Sequence, residues 1–361
     1  MKKEGISGVK IAATYIGTIV GAGFATGQEI LQFFARFGLP GIIGLIITTV
    51  LFIYFGFIIM DLGKDLDAES HLDIIKYTGN KFISIITDII ITFFLFGAFT
   101  AMIAGTGALF EQQFAWSSII GSIIMAVITA MTVLTGFNGV INSISIVVPF
   151  LLTSVIGISV FSIIKMPPQI SSASIDIQQT GLVNNWLLAT ILYISYNTVI
   201  SIAVLGPLGV QAKNKKSIKK GAILGGFGLG LGSFLIYLAL SGNLSYVAKL
   251  EVPMIYIAGS ISPIIQIIYA FILIAEVYTT AVGSLFGFTA RVDENRRLRG
   301  KNKIVVIVVT IGAFFASLFG FSNLVKYLYP LVGYAGLIML LSLIYAKYKV
   351  RNDFKKGNNI H

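Results

Sequence analysis

Gly17-Thr18-Ile19-Val20-Gly21-Ala22-Gly23-Phe24-Ala25-Thr26-Gly27-Gln28-Glu29 lies in the middle of an apolar run long enough to cross a membrane. Four of its first eleven residues are glycine. Glycine weakens a helix, because the unfolded chain loses more freedom there and no side chain covers the backbone. The last four residues of the stretch, Thr26-Gly27-Gln28-Glu29, read as a capping box, with Thr26 taking the amide three residues on and Glu29 reaching back to the Thr26 amide. The pattern predicts one helix ending near Val20 and another starting near Thr26, both inside the bilayer. Irregular backbone at that depth is tolerated only where protein buries it or it lines a cavity. The stretch is therefore expected to build a binding site, with Glu29 read as a cap in preference to a solute ligand.

The rest of the composition agrees with a membrane setting. The 361 residues are 56% hydrophobic and 11% charged, and the mean hydropathy is +0.90. A soluble domain of this composition would lack the polar surface to cover itself, so the expected class is an all-α, polytopic membrane protein. The first apolar run is too long for a cleavable signal and lacks a small-residue cleavage site. Cysteine is absent, which excludes disulfides and thiolate metal sites.

Ten spans are predicted, at about 9–36, 40–62, 83–110, 116–136, 141–165, 183–207, 219–242, 262–289, 303–321 and 324–347. With both termini cytoplasmic, 22 of the 26 Lys and Arg fall on cytoplasmic segments, and Arg36, Lys165, Lys249 and Lys326 fall outside them. That bias fixes the orientation in the cell membrane. It also accounts for the +11 net charge without a nucleic-acid partner. The 63–82 connection has an amphipathic pattern around Leu72, Ile74 and Ile75, and 166–182 reads as an outer loop. The 243–262 segment is too apolar for a free loop and is expected to fold back as an outer lid.

A second break is expected in span six, where Tyr193-Ile194-Ser195-Tyr196-Asn197-Thr198 interrupts an apolar run. Ser195 or Asn197 would cap a second half-helix, ended by Gly206-Pro207. Five spans per half give the halves opposite orientations. Discontinuous helices at matching positions of inverted halves point to a secondary-transporter site. The predicted repeats are 1–165 and 183–347, with a cytoplasmic tail at 348–361.

Other signals were weighed against plain structural roles. In span seven, Gly221 and Gly225 belong to a glycine-rich run that resembles a nucleotide loop only superficially; close helix packing is the reading adopted. In span eight, Glu276 lies near mid-span, where a charged side chain costs roughly 2.5–3.5 kcal/mol on insertion scales and should face a cavity or a partner. Thr279 and Thr280 follow by about one turn. Their hydroxyls either join Glu276 around a hard cation or bond back to their own helix carbonyls. Asp88 should snorkel or pair with a loop lysine, and Asp61 and Glu111 should be solvated. No catalytic set of side chains is recognisable, so an enzyme is not expected.

Gly21-Ala22-Gly23-Phe24-Ala25-Thr26-Gly27-Gln28-Glu29 resembles the signature of bacterial YkvI-type membrane proteins, a branch of the amino acid–polyamine–organocation transporter superfamily. Span count and basic loops extend the resemblance over essentially the whole chain. It implies a five-plus-five inverted-repeat (LeuT-like) fold. Placing Val20-Gly21-Ala22-Gly23 on the Val-Gly-x-Gly of sodium-coupled members implies that Gly17 and Val20 carbonyls and the Thr279 and Thr280 hydroxyls surround a cation. The same placement sets the Ala22 and Gly23 amides against a solute carboxylate and Tyr196 over the solute. Two positions depart from the pattern: Phe24 stands where those members carry an asparagine of a second sodium site, and Glu276 replaces a small residue.

The resulting expectation is a cation-coupled (Na⁺ or H⁺) importer of a small organic solute, an amino acid or related amine, with no other cofactor. Gly21, Ala22, Gly23, Phe24, Tyr193, Ser195, Tyr196 and Asn197 are the candidate solute contacts. Gly17, Val20, Glu276, Thr279 and Thr280 are the candidate coupling site. A sensor of the same fold, binding solute and signalling through a partner, is the alternative. Single cysteines at Ser172 and Ser217 of this cysteine-free chain should label from opposite faces of the membrane, Ser172 from outside; labelling from one face would overturn the ten-span topology.

Overall fold

The computed structural model describes residues 5–68, 71–77, 81–135, 137–170, 182–293 and 302–355. Position 172 and most of the outer loop fall outside them. The chain opens with three short helical pieces, α1 (Gly8–Ile19), α2 (Ala22–Ala25) and α3 (Gln28–Phe33). After a 3-10 turn at Ala35–Phe37 come α4 (Leu39–Asp65), α5 (His71–Lys76), α6 (Lys81–Phe114), α7 (Ser118–Leu134) and α8 (Phe137–Lys165). The remainder is α9 (Trp186–Gln211), α10 (Lys215–Ser241), α11 (Leu244–Val247), α12 (Pro253–Ile261), α13 (Pro263–Asp293), α14 (Asn302–Ser317) and α15 (Phe321–Lys355).

Six of these helices are long and apolar enough to cross a bilayer, and three shorter apolar helices, Ser118–Leu134, Phe150–Lys165 and Lys303–Ser317, lie on further expected spans. The expected first span is divided among α1, α2 and α3. The 63–82 connection does form a short helix, α5, that buries Ile74 and Ile75. α7 exposes Ile119, Ile123, Val127 and Met131 along one side, as a lipid-facing helix would.

The broken segment sits at the centre. α1 packs on α10, α4 packs on both α9 and α10, and α15 packs on α9 and α6. α2 reaches α13, and α3 reaches α10, α15 and α9. Glycines make these approaches possible. A Cβ at Gly221 would run into Ile11, and one at Gly225 into Tyr15, so the span-seven glycines serve close packing against α1.

The expected break in span six does not form. α9 is one continuous helix from Trp186 to Gln211, with Pro207 inside it. The polar residues that suggested a cap instead bond within or across helices. Asn197 Nδ2 donates to the Tyr193 carbonyl (2.9 Å) and the Thr198 hydroxyl to the Ile194 carbonyl (2.8 Å). Ser195 Oγ donates across to the Gly333 carbonyl of α15 (2.6 Å). Bonding of this kind turns these polar side chains to carbonyls of a continuous helix and its neighbour, and none of them caps a new one. Gly206 does not end the helix either: a Cβ at Gly63 would overlap the Gly206 carbonyl, and a Cβ at Gly209 the Met60 carbonyl, so these glycines let α4 and α9 touch backbone to backbone.

The acidic residues at one end of the bundle are also placed differently from the expectation of solvation. Asp61, 3% exposed, faces Lys215 (3.2 Å) and Lys347, and Asp65 faces the same two lysines at 2.5 and 3.5 Å. Asp88 pairs with Arg291 of α13, not with a lysine.

Gly209→Val should lower the thermal midpoint in detergent by the equivalent of about 1–3 kcal/mol or more, because the new side chain meets backbone that cannot yield. Gly157→Ala, on α8 with nothing within 4 Å of the added carbon, should leave the midpoint unchanged or slightly raised.

Candidate functional site

The first span is interrupted twice. α1 ends at Ile19, and Val20 (φ −71°, ψ 106°) and Gly21 (φ −126°, ψ −169°) are extended. Among the described residues no hydrogen bond joins the carbonyls of residues 17–20 to the amides of residues 21–24, although the Val20 amide still reaches the Ile16 carbonyl (2.8 Å). α2 is a single turn. Gly27 then adopts a left-handed conformation (φ 83°), which glycine reaches without penalty, and caps α3.

The capping box is therefore replaced by a different arrangement. Thr26 Oγ1 donates to the Gly23 carbonyl (3.1 Å) and accepts from the Gln28 amide (3.4 Å). Glu29 does not reach back to Thr26. Because Gly27 turns the chain, Glu29 points inward, is 4% exposed, and its Oε2 accepts a hydrogen bond from Tyr196 Oη. Its Oε1 lies so close over Gly23 that any side chain there would overlap it. Gly23 is thus the floor beneath the Glu29 carboxylate.

Rings close around this carboxylate. Tyr193 and Tyr196, three apart on α9, meet edge to face at 5.4 Å. Phe33 packs on both, at 5.3 and 5.7 Å, and Tyr329 of α15 packs on Tyr196 at 5.1 Å. Phe34 and Phe52 back Tyr193 at 4.9 and 6.0 Å. The Tyr193 hydroxyl is buried in the same cluster, beside Glu29, Tyr196 and Ser233. Phe24 is buried too, but its ring is turned to α10, beside Gly232.

A second acid faces the break from α13. Glu276 is 3% exposed, its Oε1 accepts from Thr280 Oγ1 (3.5 Å), and its Oε2 is buried with no partner among the described residues. A Cβ at Gly21 would stand 3.8 Å from Thr280 Oγ1, which places the threonine against the first interruption. Thr279 Oγ1 instead donates to the Glu276 carbonyl (3.0 Å), the back-bonded arrangement.

The 243–262 segment covers the break, as its apolar sequence predicts. The Met254 amide donates to the Thr26 carbonyl (3.0 Å), and Gln28 Nε2 donates to the Leu250 carbonyl (2.6 Å) and to Ser322 Oγ (2.7 Å). Gln112 Nε2 and Oε1 bond the Val252 carbonyl and amide at 2.8 and 3.0 Å. Glu251 accepts from the Ser322 amide (2.6 Å), and burial raises the pKa of its carboxyl group.

No protein-family model matches the chain. It is 31% identical over 350 residues to the uncharacterized membrane protein YkvI of Bacillus subtilis (strain 168), covering 96% of this chain and 98% of the relative. The chain belongs to the YkvI family of membrane proteins. It is also 27% identical over 344 residues to the uncharacterized protein YyaD of the same organism, covering 94% of this chain and 96% of that one. Its YkvI-family fold resembles inward-facing Mhp1 (TM-score 0.65, 11% identity, 86% of this chain and 70% of that one). It also resembles MhsT in complex with L-phenylalanine (TM-score 0.61, 16% identity, 96% and 89%) and a Na⁺-coupled sialic acid symporter (TM-score 0.60, 13% identity, 95% and 82%). These neighbours are LeuT-fold transporters, not enzymes. At such identities the likeness establishes the all-helical fold.

Of the residues expected in this YkvI-family site, Gly23, Tyr193 and Tyr196 converge on Glu29, while Gly21 and Thr280 meet beside Glu276. Ala22 is buried in the single turn that carries Gly23. Ser195, Asn197 and Thr279 are turned to helix carbonyls. Glu29, read from sequence as a cap in preference to a solute ligand, points inward; the signal was an acid inside an apolar run, and Phe33 and Tyr329 carry no sequence signal beyond their rings.

Tyr196→Phe removes the hydrogen bond from Oη to the Glu29 carboxylate and should lower stability by about 1.5–3 kcal/mol, the usual cost for a bond to a charged group. Tyr345→Phe, an exposed position, should not change it. Thermal unfolding of the three proteins in one detergent is the comparison.

Proposed function

We propose that this multi-pass membrane protein is a cation-coupled secondary transporter of a small organic solute, an amino acid or related amine, working by alternating access in the cell membrane. The observation that carries the reading is the double interruption of the first span, buried at the centre of the bundle between α9, α10 and α13. Irregular backbone in a membrane is retained where it lines a site. In this reading the ten apolar segments form two inverted repeats, 1–165 and 183–347, as in the amino acid–polyamine–organocation superfamily. The termini and the Asp61–Lys215–Lys347 cluster lie on the cytoplasmic side.

The solute would sit against Gly21, Ala22, Gly23 and Phe24, beneath Tyr193 and Tyr196. Ser195 and Asn197 would support α9 from within and contact solute only after that helix rearranges. The coupling ion belongs beside Glu276. The oxygens available there suit a hard cation: the Glu276 carboxylate with its unpartnered Oε2, the Thr280 hydroxyl, and the Gly17 and Val20 carbonyls freed by the break. Thr279 would join by releasing the Glu276 carbonyl. With H⁺ as the driver, Glu276 alone would cycle between charged and neutral forms.

Glu276→Gln keeps the shape but removes charge and titration, and should abolish accumulation against a gradient while leaving solute exchange intact. Thr280→Ala should be severe for Na⁺ coupling and mild for H⁺ coupling. Uptake into liposomes under an imposed Na⁺ gradient and then an imposed pH gradient tests both variants. Wild-type accumulation by Glu276→Gln would remove Glu276 from the coupling role. Solute binding with no uptake by the wild-type protein would favour a sensor.

A further inference from the structure

Glu29 is a buried carboxylate with no cation beside it. Among the described residues the ion pairs involve Asp61, Asp65 and Asp88, all away from the break. The Glu29 side chain is met by neutral tyrosine hydroxyls, with Tyr196 Oη donating to its Oε2 and Tyr193 beside it. Buried carboxylates are stable when they are paired or neutral, because an isolated charge loses its hydration. Among the described residues no ion pair involves Glu29, and aromatic rings cluster around its Tyr196 partner instead. Phe33, Tyr193, Tyr196 and Tyr329 form one connected cluster, with centroids 5.1–5.4 Å apart along Tyr329–Tyr196–Tyr193–Phe33. An aromatic face attracts a cation through its quadrupole, more strongly when water is excluded.

The same geometry acts against an anion. A solute carboxylate on the Ala22 and Gly23 amides, as the family resemblance implies, would have to share the space over Gly23 with Glu29 Oε1. Two carboxylates at contact distance in a dry site repel. An inorganic ion is served better at Glu276, where a carboxylate and a hydroxyl meet beside the first interruption of the span. A cluster of aromatic rings attracts a cation through its ring faces and favours a weakly hydrated organic cation. The two buried acids thus divide the work: Glu276 for the coupling ion and Glu29 for the solute.

We propose that the solute held at the span-one break is a small organic cation, an amine or quaternary ammonium, with its positive group between the Glu29 carboxylate and the rings of Phe33, Tyr193, Tyr196 and Tyr329. This rests on the reading of the break as the solute site. It narrows that reading by assigning the recognised charge: positive, and matched by the protein's own carboxylate.

The test is titration calorimetry on the purified full-length protein with five probes: phenethylamine, putrescine, choline, L-phenylalanine and 3-phenylpropionate. At least one of the three cations should bind, 3-phenylpropionate should not, and Glu29→Gln should weaken cation binding tenfold or more. If Glu29→Gln does not fold, as judged by gel filtration and helical circular dichroism, Tyr329→Leu and Phe33→Leu strip the ring faces and leave the carboxylate. Each should then cost the cation tenfold or more. Binding of 3-phenylpropionate or L-phenylalanine without any cation overturns the assignment. So does cation binding unaffected by all three variants, and so does no binding by any probe. Uptake into proteoliposomes separates this result from the transport reading. A cation that binds through Glu29 but is never taken up overturns transport and leaves the Glu29 assignment standing. Gradient-driven uptake of an amino acid that survives Glu29→Gln leaves transport standing and overturns the assignment.

Discussion

Backbone amides and carbonyls inside a bilayer have no water to bond, so a chain that leaves the helical ladder there has to be enclosed by other helices. That constraint organises this molecule. At Val20 and Gly21 the ladder stops, and at Gly27 the chain turns through a left-handed residue. α9, α10, α13 and α15 surround the interruption, and the α11–α12 lid bonds directly to Thr26 and Gln28. The glycines of α4, α9 and α10 are what allow the enclosing helices to come close enough.

Enclosure also determines the electrostatics. At one end of the bundle Asp61 and Asp65 meet Lys215 and Lys347, an arrangement in which charge is compensated within the protein. At the centre, among the described residues, Glu29 and Glu276 meet only hydroxyl partners. A dry interior raises the cost of an unmatched charge, so the two central acids favour neutralisation by protons or by bound cations. The aromatic shell of Glu29 and the oxygen-rich surroundings of Glu276 differ in the cations they suit, which is the physical basis for assigning them different ligands.

The lid, the amphipathic α5 and the span-seven packing glycines were legible because each is written as a local pattern of apolar and small residues. The span-six break was misread for the same reason. Small and polar residues at Tyr193–Thr198 look alike whether they interrupt a helix or bond back to its carbonyls. Gly206-Pro207 looks alike whether it ends a helix or lets a neighbour approach. Only the Met60 and Gly206 carbonyls, brought there by α4 and α9 themselves, decide between the two. Asp61 was expected in solvent because Lys215 and Lys347, its partners, are remote in sequence.

The sequence by itself determined the membrane class, the positions of the apolar segments and the interruption of the first span. Composition, hydrophobic length and glycine content act locally, and no tertiary contact is needed to read them. The tertiary structure alone decided what the interruption holds. The turn at Gly27 sets the direction of Glu29, and the packing of α3, α9 and α15 brings Phe33, Tyr193, Tyr196 and Tyr329 around it. Residues nearly 300 positions apart meet there, and the direction of a side chain after an irregular turn depends on where the neighbouring helices leave room for it.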